Sequence, residues 1–118
     1  MRLQDVLDVT NARPISPRPD MGREVRSGFA SDLMSDVLRY DVARGLLITG
    51  LTNPQIIRTA EMADVAAILI VRGKIPPPET VDLAEQVGIL IIGTDLIMFE
   101  ACGRLYAAGL PPCQRFSE

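Results

Sequence analysis

The chain has 118 residues, of which 47% are hydrophobic and 23% charged, with a formal net charge of −3. These are the proportions of one globular domain, long enough to bury a core without the metal or disulfide staples that chains below about 40 residues need. The acidic balance and the absence of a basic run exclude the positive footprint of a nucleic-acid binder, leaving only a weak basic face around Arg13, Arg18, Arg23 and Arg26.

In chain order, Leu3, Val6 and Leu7 predict a short opening helix. Pro14, Pro17 and Pro19 mark the rest of an irregular, Pro-rich N-terminal part over 1–23, a stretch barred from any central strand. Glu24–Phe29 predicts a strand that leads into a helix over about Asp32–Tyr40. Three uninterrupted apolar runs follow: Leu46–Ile48, Val65–Val71 and Ile89–Ile92. None alternates with polar residues, so each strand is expected to be covered on both faces, as in a parallel sheet between helices. Aromatics make up only 4% of the chain, so that core must be aliphatic.

Each run leads into a helical pattern. Thr52-Asn53-Pro54 reads as a cap followed by Pro at the first helical position, with Ile56, Ile57, Ala60 and Ala63 on one face. Pro76-Pro77-Pro78 stiffens the next connection, and the helix that follows turns Thr80, Leu83, Ala84 and Val87 inward and ends at Gly88. Thr94 or Asp95 caps a last helix through about Ala108, with Met98, Ala101, Cys102 and Leu105 inward, and 110–118 form a tail. The expected fold is a single three-layer α/β/α domain over 1–118, with a mainly parallel sheet of about four strands built from successive βα units.

From Phe29 onward four segments, Ala30–Leu38, Leu47–Gln55, Ile70–Lys74 and Phe99–Gly103, stand in an order that resembles the stand-alone form of the DRTGG-domain family. The resemblance covers almost the whole chain. Two departures stand out: Leu51-Thr52 takes the place of the family's Asp-Arg, and Val71-Arg72-Gly73 that of its Thr-Gly-Gly, so no ligand is carried over through those positions. The resemblance implies an α/β/α fold similar to the N-terminal domain of HPr kinase/phosphorylase. It also implies an accessory, dimer-forming module, found beside CBS domains in some pyrophosphatases and within phosphate acetyltransferases, with catalysis housed elsewhere. For stand-alone forms it implies association with iron-hydrogenase-type redox systems.

The chemistry available in the sequence is limited. There is no His, which removes the commonest general base and transition-metal ligand, and Lys74 is the single Lys. Neither a Gly-x-x-x-x-Gly-Lys-Ser/Thr phosphate loop nor a Gly-x-Ser-x-Gly elbow occurs. An enzyme would have to use Ser31 or Lys74, and neither has an activating neighbour in the sequence. Asp32 and Asp36 share a face of the predicted helix, but two carboxylates without further partners rarely hold a metal; a cap and a solvated residue are expected. Cys102 reads as a buried small hydrophobe, with Cys113 its one possible partner. A non-enzymatic protein with no metal and no cofactor is therefore expected.

The candidate site follows from the fold. In open parallel sheets ligands settle beyond the carboxyl ends of the strands, where helix N-termini present free N–H groups. Gly50, Gly73 and Gly93 would permit close backbone approach there, and Arg72 and Lys74 add cationic donors suited to a phosphate or nucleotide. The candidate ligand-binding residues are Ser31, Asp32, Gly50, Thr52, Asn53, Arg72, Gly73 and Thr94. Singly, Ser31, Thr52, Asn53 and Thr94 read as ordinary helix caps and the glycines as turn residues.

Gly103 interrupts the last helix, as where another backbone approaches, and points to a homodimer. The expected function is a homodimeric, non-catalytic regulatory module sensing a nucleotide or phosphorylated metabolite. The alternative is a docking or assembly partner of a redox enzyme system of iron-hydrogenase type, with no small-molecule ligand and with the Arg13–Pro19 arm laid along the partner. No nucleic-acid or membrane partner is expected. The longest apolar run is far below the roughly 20 residues that span a bilayer, no leader pattern follows Met1, and two cysteines form no disulfide framework. The expected compartment is the cytoplasm.

Overall fold

A computed structural model describes residues 1–116 of the protein. In chain order its elements are α1 (Leu3–Thr10), β1 (Arg13–Pro14), β2 (Gly28–Ala30), α2 (Met34–Val37), β3 (Tyr40–Asp41), β4 (Leu46–Thr49), α3 (Gln55–Met62), β5 (Ala67–Ile70), α4 (Pro78–Val87), β6 (Leu90–Gly93), α5 (Met98–Ala107) and β7 (Gln114–Arg115). The three apolar runs become β4, β5 and β6, and every residue of these strands is buried. They pair in parallel with Leu47, Ile68 and Ile91 in one row and Ile48, Leu69 and Ile92 in the next.

Alternate side chains then feed two cores. Leu46, Ile48, Ala67, Leu69, Leu90 and Ile92 pack with Leu3, Val6 and Leu7 of α1 and Ala101 and Leu105 of α5. Leu47, Ile68, Ile70 and Ile91 pack on the other side with Val37 of α2, Ile56, Ile57 and Ala60 of α3, and Ala84 of α4. The result is the three-layer α/β/α arrangement, with four parallel strands in the order β2-β4-β5-β6 and antiparallel β1 at the edge beside β6. No helix among the described residues is long and apolar enough to cross a membrane.

Both sheet edges are finished by proline-bearing chain. The N-terminal arm does not lie free: beyond β1, the N–H groups of Ile15 and Ser16 both donate to the Ile91 carbonyl, at 2.9 and 3.0 Å, and Ile91 N–H donates back to Ser16 Oγ at 2.8 Å. At the far edge Gly28 N–H donates to Pro111 O at 2.9 Å, and Cys113 N–H to Gly28 O at 3.1 Å. Beyond this, β7 pairs antiparallel with β3 in a separate small sheet.

Four boundaries differ from the sequence-based expectation. The strand expected over Glu24–Phe29 is β2, shifted to Gly28–Ala30, because Val25 N–H is taken by Met1 O and Glu24 bridges to Arg2. The helix expected over Asp32–Tyr40 shrinks to α2: a Ser31 turn precedes it and Tyr40-Asp41 joins β3. The last helix starts at Met98 with Ile97 as its cap position, not at Thr94 or Asp95, because the Thr94 and Leu96 carbonyls are taken by Gly73 N–H and Arg72 N–H. Pro54 lies just outside α3 instead of in its first position. By contrast α4 stops at left-handed Gly88 (φ 79°), as the Gly signal requires, and Pro78 of the expected connection is its first residue.

Because Ile68 is fully buried with packing on all sides, Ile68→Ala is expected to cost about 2–5 kcal/mol in urea unfolding. Met62→Ala, at a 73% exposed position, is expected to stay within about 0.5 kcal/mol of the parent.

Candidate functional site

Thr49, Ile70 and Gly93 stand in register at the carboxyl ends of β4, β5 and β6, so the loops that follow them share one rim. The four parallel strands keep chain order without reversal. Connections leave β4 and β5 toward the layer of α3 and α4, whereas β6 leads to α5 on the other face. That divergence between β5 and β6 is where an open α/β sheet forms its crevice. Here it is laced shut: Arg72 N–H donates to Leu96 O at 2.8 Å and Gly73 N–H to Thr94 O at 2.9 Å.

The same two bonds aim Arg72 in the opposite direction. Arg72 and Gly73 are consecutive left-handed residues (φ 64° and 66°), and Lys74 N–H closes on Val71 O at 3.4 Å, the pattern of a type I′ turn. Left-handed backbone costs a bulky residue such as Arg about 1–2 kcal/mol, which the bonds to Leu96 and Thr94 offset. The Arg72 guanidinium consequently lies over Gly50, so close that a Cβ on Gly50 would collide with it. A side chain at position 50 would push the guanidinium off this seat.

From the other side comes Asp32. Its Oδ1 accepts the Gly50 N–H at 2.7 Å and the Thr49 hydroxyl at 2.8 Å, and its Oδ2 lies 3.9 Å from Arg72 Nη2. The side chains of Asp32 and Arg72 are 42% and 41% exposed, so the pair is open to solvent. The Gly50 N–H bond foremost holds the Asp32 carboxyl below its ordinary value; partial burial opposes this, while the Thr49 hydroxyl and the Arg72 and Lys74 charges reinforce it.

Of the residues singled out from sequence, Asp32, Gly50, Arg72 and Gly73 are brought together. Ser31 is adjacent, but its hydroxyl accepts Leu33 N–H at 2.9 Å in a local turn. Thr52 and Asn53 precede α3 without capping it through their side chains, and their carbonyls accept the Thr80 hydroxyl (2.8 Å) and Ile56 N–H (3.2 Å). Thr94 is a correction: it is buried, and its hydroxyl is engaged inside the protein, donating to Thr10 O at 2.7 Å and accepting Leu96 N–H at 3.2 Å. Gly93 is also closed off, since Ile15 fills the space a Cβ would take. Asp36 lies within α2 whereas Asp32 precedes it, so the two do not share a helix face. Thr49 was missed; its signal was a lone hydroxyl ending an otherwise apolar strand.

Elsewhere, no group of three or more His, Cys, Asp or Glu residues suited to a metal occurs among the described residues. Cys102 and Cys113 are free and half-buried, and burial pushes both thiols up. Three of the four arginines of the weak basic face have partners: Arg13 pairs with Asp95, Arg18 with Glu85, and Arg23 donates to Ala66 O and Gly88 O. A cavity of about 360 Å³ opens at the opposite, amino end of the sheet, where Arg23 and Arg44 face Glu24, Glu61 and Asp64.

No protein-family model matches this sequence, and no curated protein matches it. Among solved structures the fold is shared with a regulatory region built of CBS and DRTGG domains. That structure is the regulatory region of the Clostridium perfringens pyrophosphatase complexed with its activator, diadenosine tetraphosphate; the TM-score is 0.68 at 18% identity. The match covers 93% of this chain and 47% of that one, so this chain spans about half the length of its structural neighbour.

Two outcomes follow from this geometry. Gly73→Ala is expected to lower stability by about 1–2 kcal/mol in urea unfolding, because an L side chain in left-handed backbone also meets Asp95 Oδ1 at 3.0 Å. The lowered Asp32 pKa gives stabilisation that is complete above the usual carboxylate value of about 4 and is lost as pH falls through the lower folded-state value. Melting temperatures recorded against pH should therefore fall less steeply on the acid side for Asp32→Asn than for the parent.

Proposed function

We propose that this chain is a non-catalytic regulatory module of the DRTGG type, which senses a nucleotide or phosphorylated metabolite at the carboxyl ends of β2, β4 and β5. The observation that carries the reading is Arg72, held in left-handed backbone over Gly50. Bulky residues persist in that conformation only where their surroundings over-determine them, and they cluster at ligand sites. The half-exposed guanidinium offers a planar fork of donors to a phosphate, with Lys74 two residues on as a second cation. The fold shared with a regulatory region that takes a nucleotide activator supports the same class. The lack of His supports a role without catalysis.

The module is a homodimer in this reading, joined through α5. Phe99, Gly103 and Tyr106 fall at helical spacing on one exposed stripe of that helix, with Phe99 86% and Tyr106 71% exposed. A Cβ on Gly103 would meet open space, so a second backbone has room to approach between the two aromatics. The same stripe favours the second reading, a docking or assembly partner of a redox enzyme of iron-hydrogenase type with no small-molecule ligand.

A thermal-shift panel of nucleotides, acyl phosphates and coenzyme A separates the two. A ligand present at 100 times its Kd stabilises by about 2.7 kcal/mol, a shift of about 10 °C in Tm for a domain of this size. The expected result is such a shift for at least one phosphorylated compound, lost in Arg72→Ala. A flat panel, with a monomer in sedimentation and a redox enzyme co-purifying from the native host, would instead establish the docking role.

A further inference from the structure

The donors at the strand ends already serve an anion, and it belongs to the protein. One carboxylate oxygen of Asp32 takes both the Gly50 N–H and the Thr49 hydroxyl, while the other faces Arg72. A backbone N–H and a hydroxyl on one oxygen, with a guanidinium beside the other, are the kinds of group that bind a phosphate. Each of the first two has a single hydrogen to give, and two anions a few ångströms apart repel. The seat over Gly50 therefore holds Asp32 or a phosphate, not both.

The attachment of Asp32 suits such an exchange. Among the described residues no backbone–backbone hydrogen bond outside the strands and helices involves Asp32 itself: Ser31 N–H is bonded to Ile48 O before it, and Leu33 O accepts Asp36 N–H after it. Asp32 is thus tied to β4 through its side chain, and releasing it breaks no strand pairing.

We propose that Asp32 is a built-in competitor, whose carboxylate occupies the anion seat over Gly50 and is displaced when a phosphorylated ligand binds. This rests on the reading that the strand ends bind such a ligand, and it adds how the site is regulated: apparent affinity is set by the contest between ligand and Asp32. It also restricts the ligand, since a compound without an anionic group offers these donors nothing better than the carboxylate they hold.

Calorimetric titration with ATP and with inorganic pyrophosphate, on the parent chain, Asp32→Ala and Asp32→Asn, tests the inference. Asp32→Ala is expected to bind about tenfold more tightly than the parent, from removal of both the competitor and its charge. Asp32→Asn should show a smaller gain, because the amide oxygen still accepts from Gly50 and Thr49. Adding Arg72→Ala to Asp32→Ala should abolish the gain; a gain that survives would place the seat elsewhere and overturn the inference. Unchanged or weaker binding in both Asp32 variants would overturn it too while leaving ligand binding intact, since Asp32 would then be neutral or a direct contact. Silence from all three proteins would overturn both the inference and the reading on which it rests. If Asp32→Ala does not fold, as judged by its circular dichroism and melt, the Asp32→Asn comparison decides.

Discussion

Burial of β4, β5 and β6 on both faces is the constraint from which the rest of the molecule follows. A strand with no solvated face must alternate its side chains between two cores, so the sheet needs helices above and below. The chain supplies α2, α3 and α4 on one side and α1 with α5 on the other. Parallel pairing in turn forces every connection to cross over, which places the loops after β4, β5 and β6 together at one rim. The site is a product of that geometry before it is a product of any one residue.

What distinguishes this rim is its polar wiring. The place where the connections diverge to opposite faces is closed by Arg72 N–H and Gly73 N–H. Those bonds hold Arg72 in a backbone conformation it would not adopt alone and turn its side chain toward β4. Gly50 leaves room for the guanidinium, and Asp32 completes the arrangement from the β2 side. Local strain, a missing side chain and a carboxylate from a distant segment form one unit, and changing any of them alters the other two.

The layers were legible in the sequence because continuous apolar runs followed by helical spacing leave few alternatives to a parallel α/β/α sheet. The Gly that ends α4 was equally readable. The Asp32–Tyr40 helix was not, because propensity suits a helix there whereas the Ser31 turn and the pairing of Tyr40-Asp41 with β7 are tertiary facts. In the site, Asp32, Gly50, Arg72 and Gly73 were found by their position at strand ends. Their mutual contacts were hidden, since an Arg in sequence does not announce the left-handed backbone that Arg72 adopts. Thr94 looked identical to a rim residue but points toward Thr10, and only the packing of α1 against the sheet reveals that.

The proline-bearing borders of the sheet have a consequence for assembly. An open β edge recruits strands from other molecules, and proline, lacking an N–H, blunts that tendency. Arg13-Pro14 runs beside β6, and Pro111-Pro112 sits against Gly28 on the far side. Growth of the sheet from one molecule into the next is thereby disfavoured at both borders.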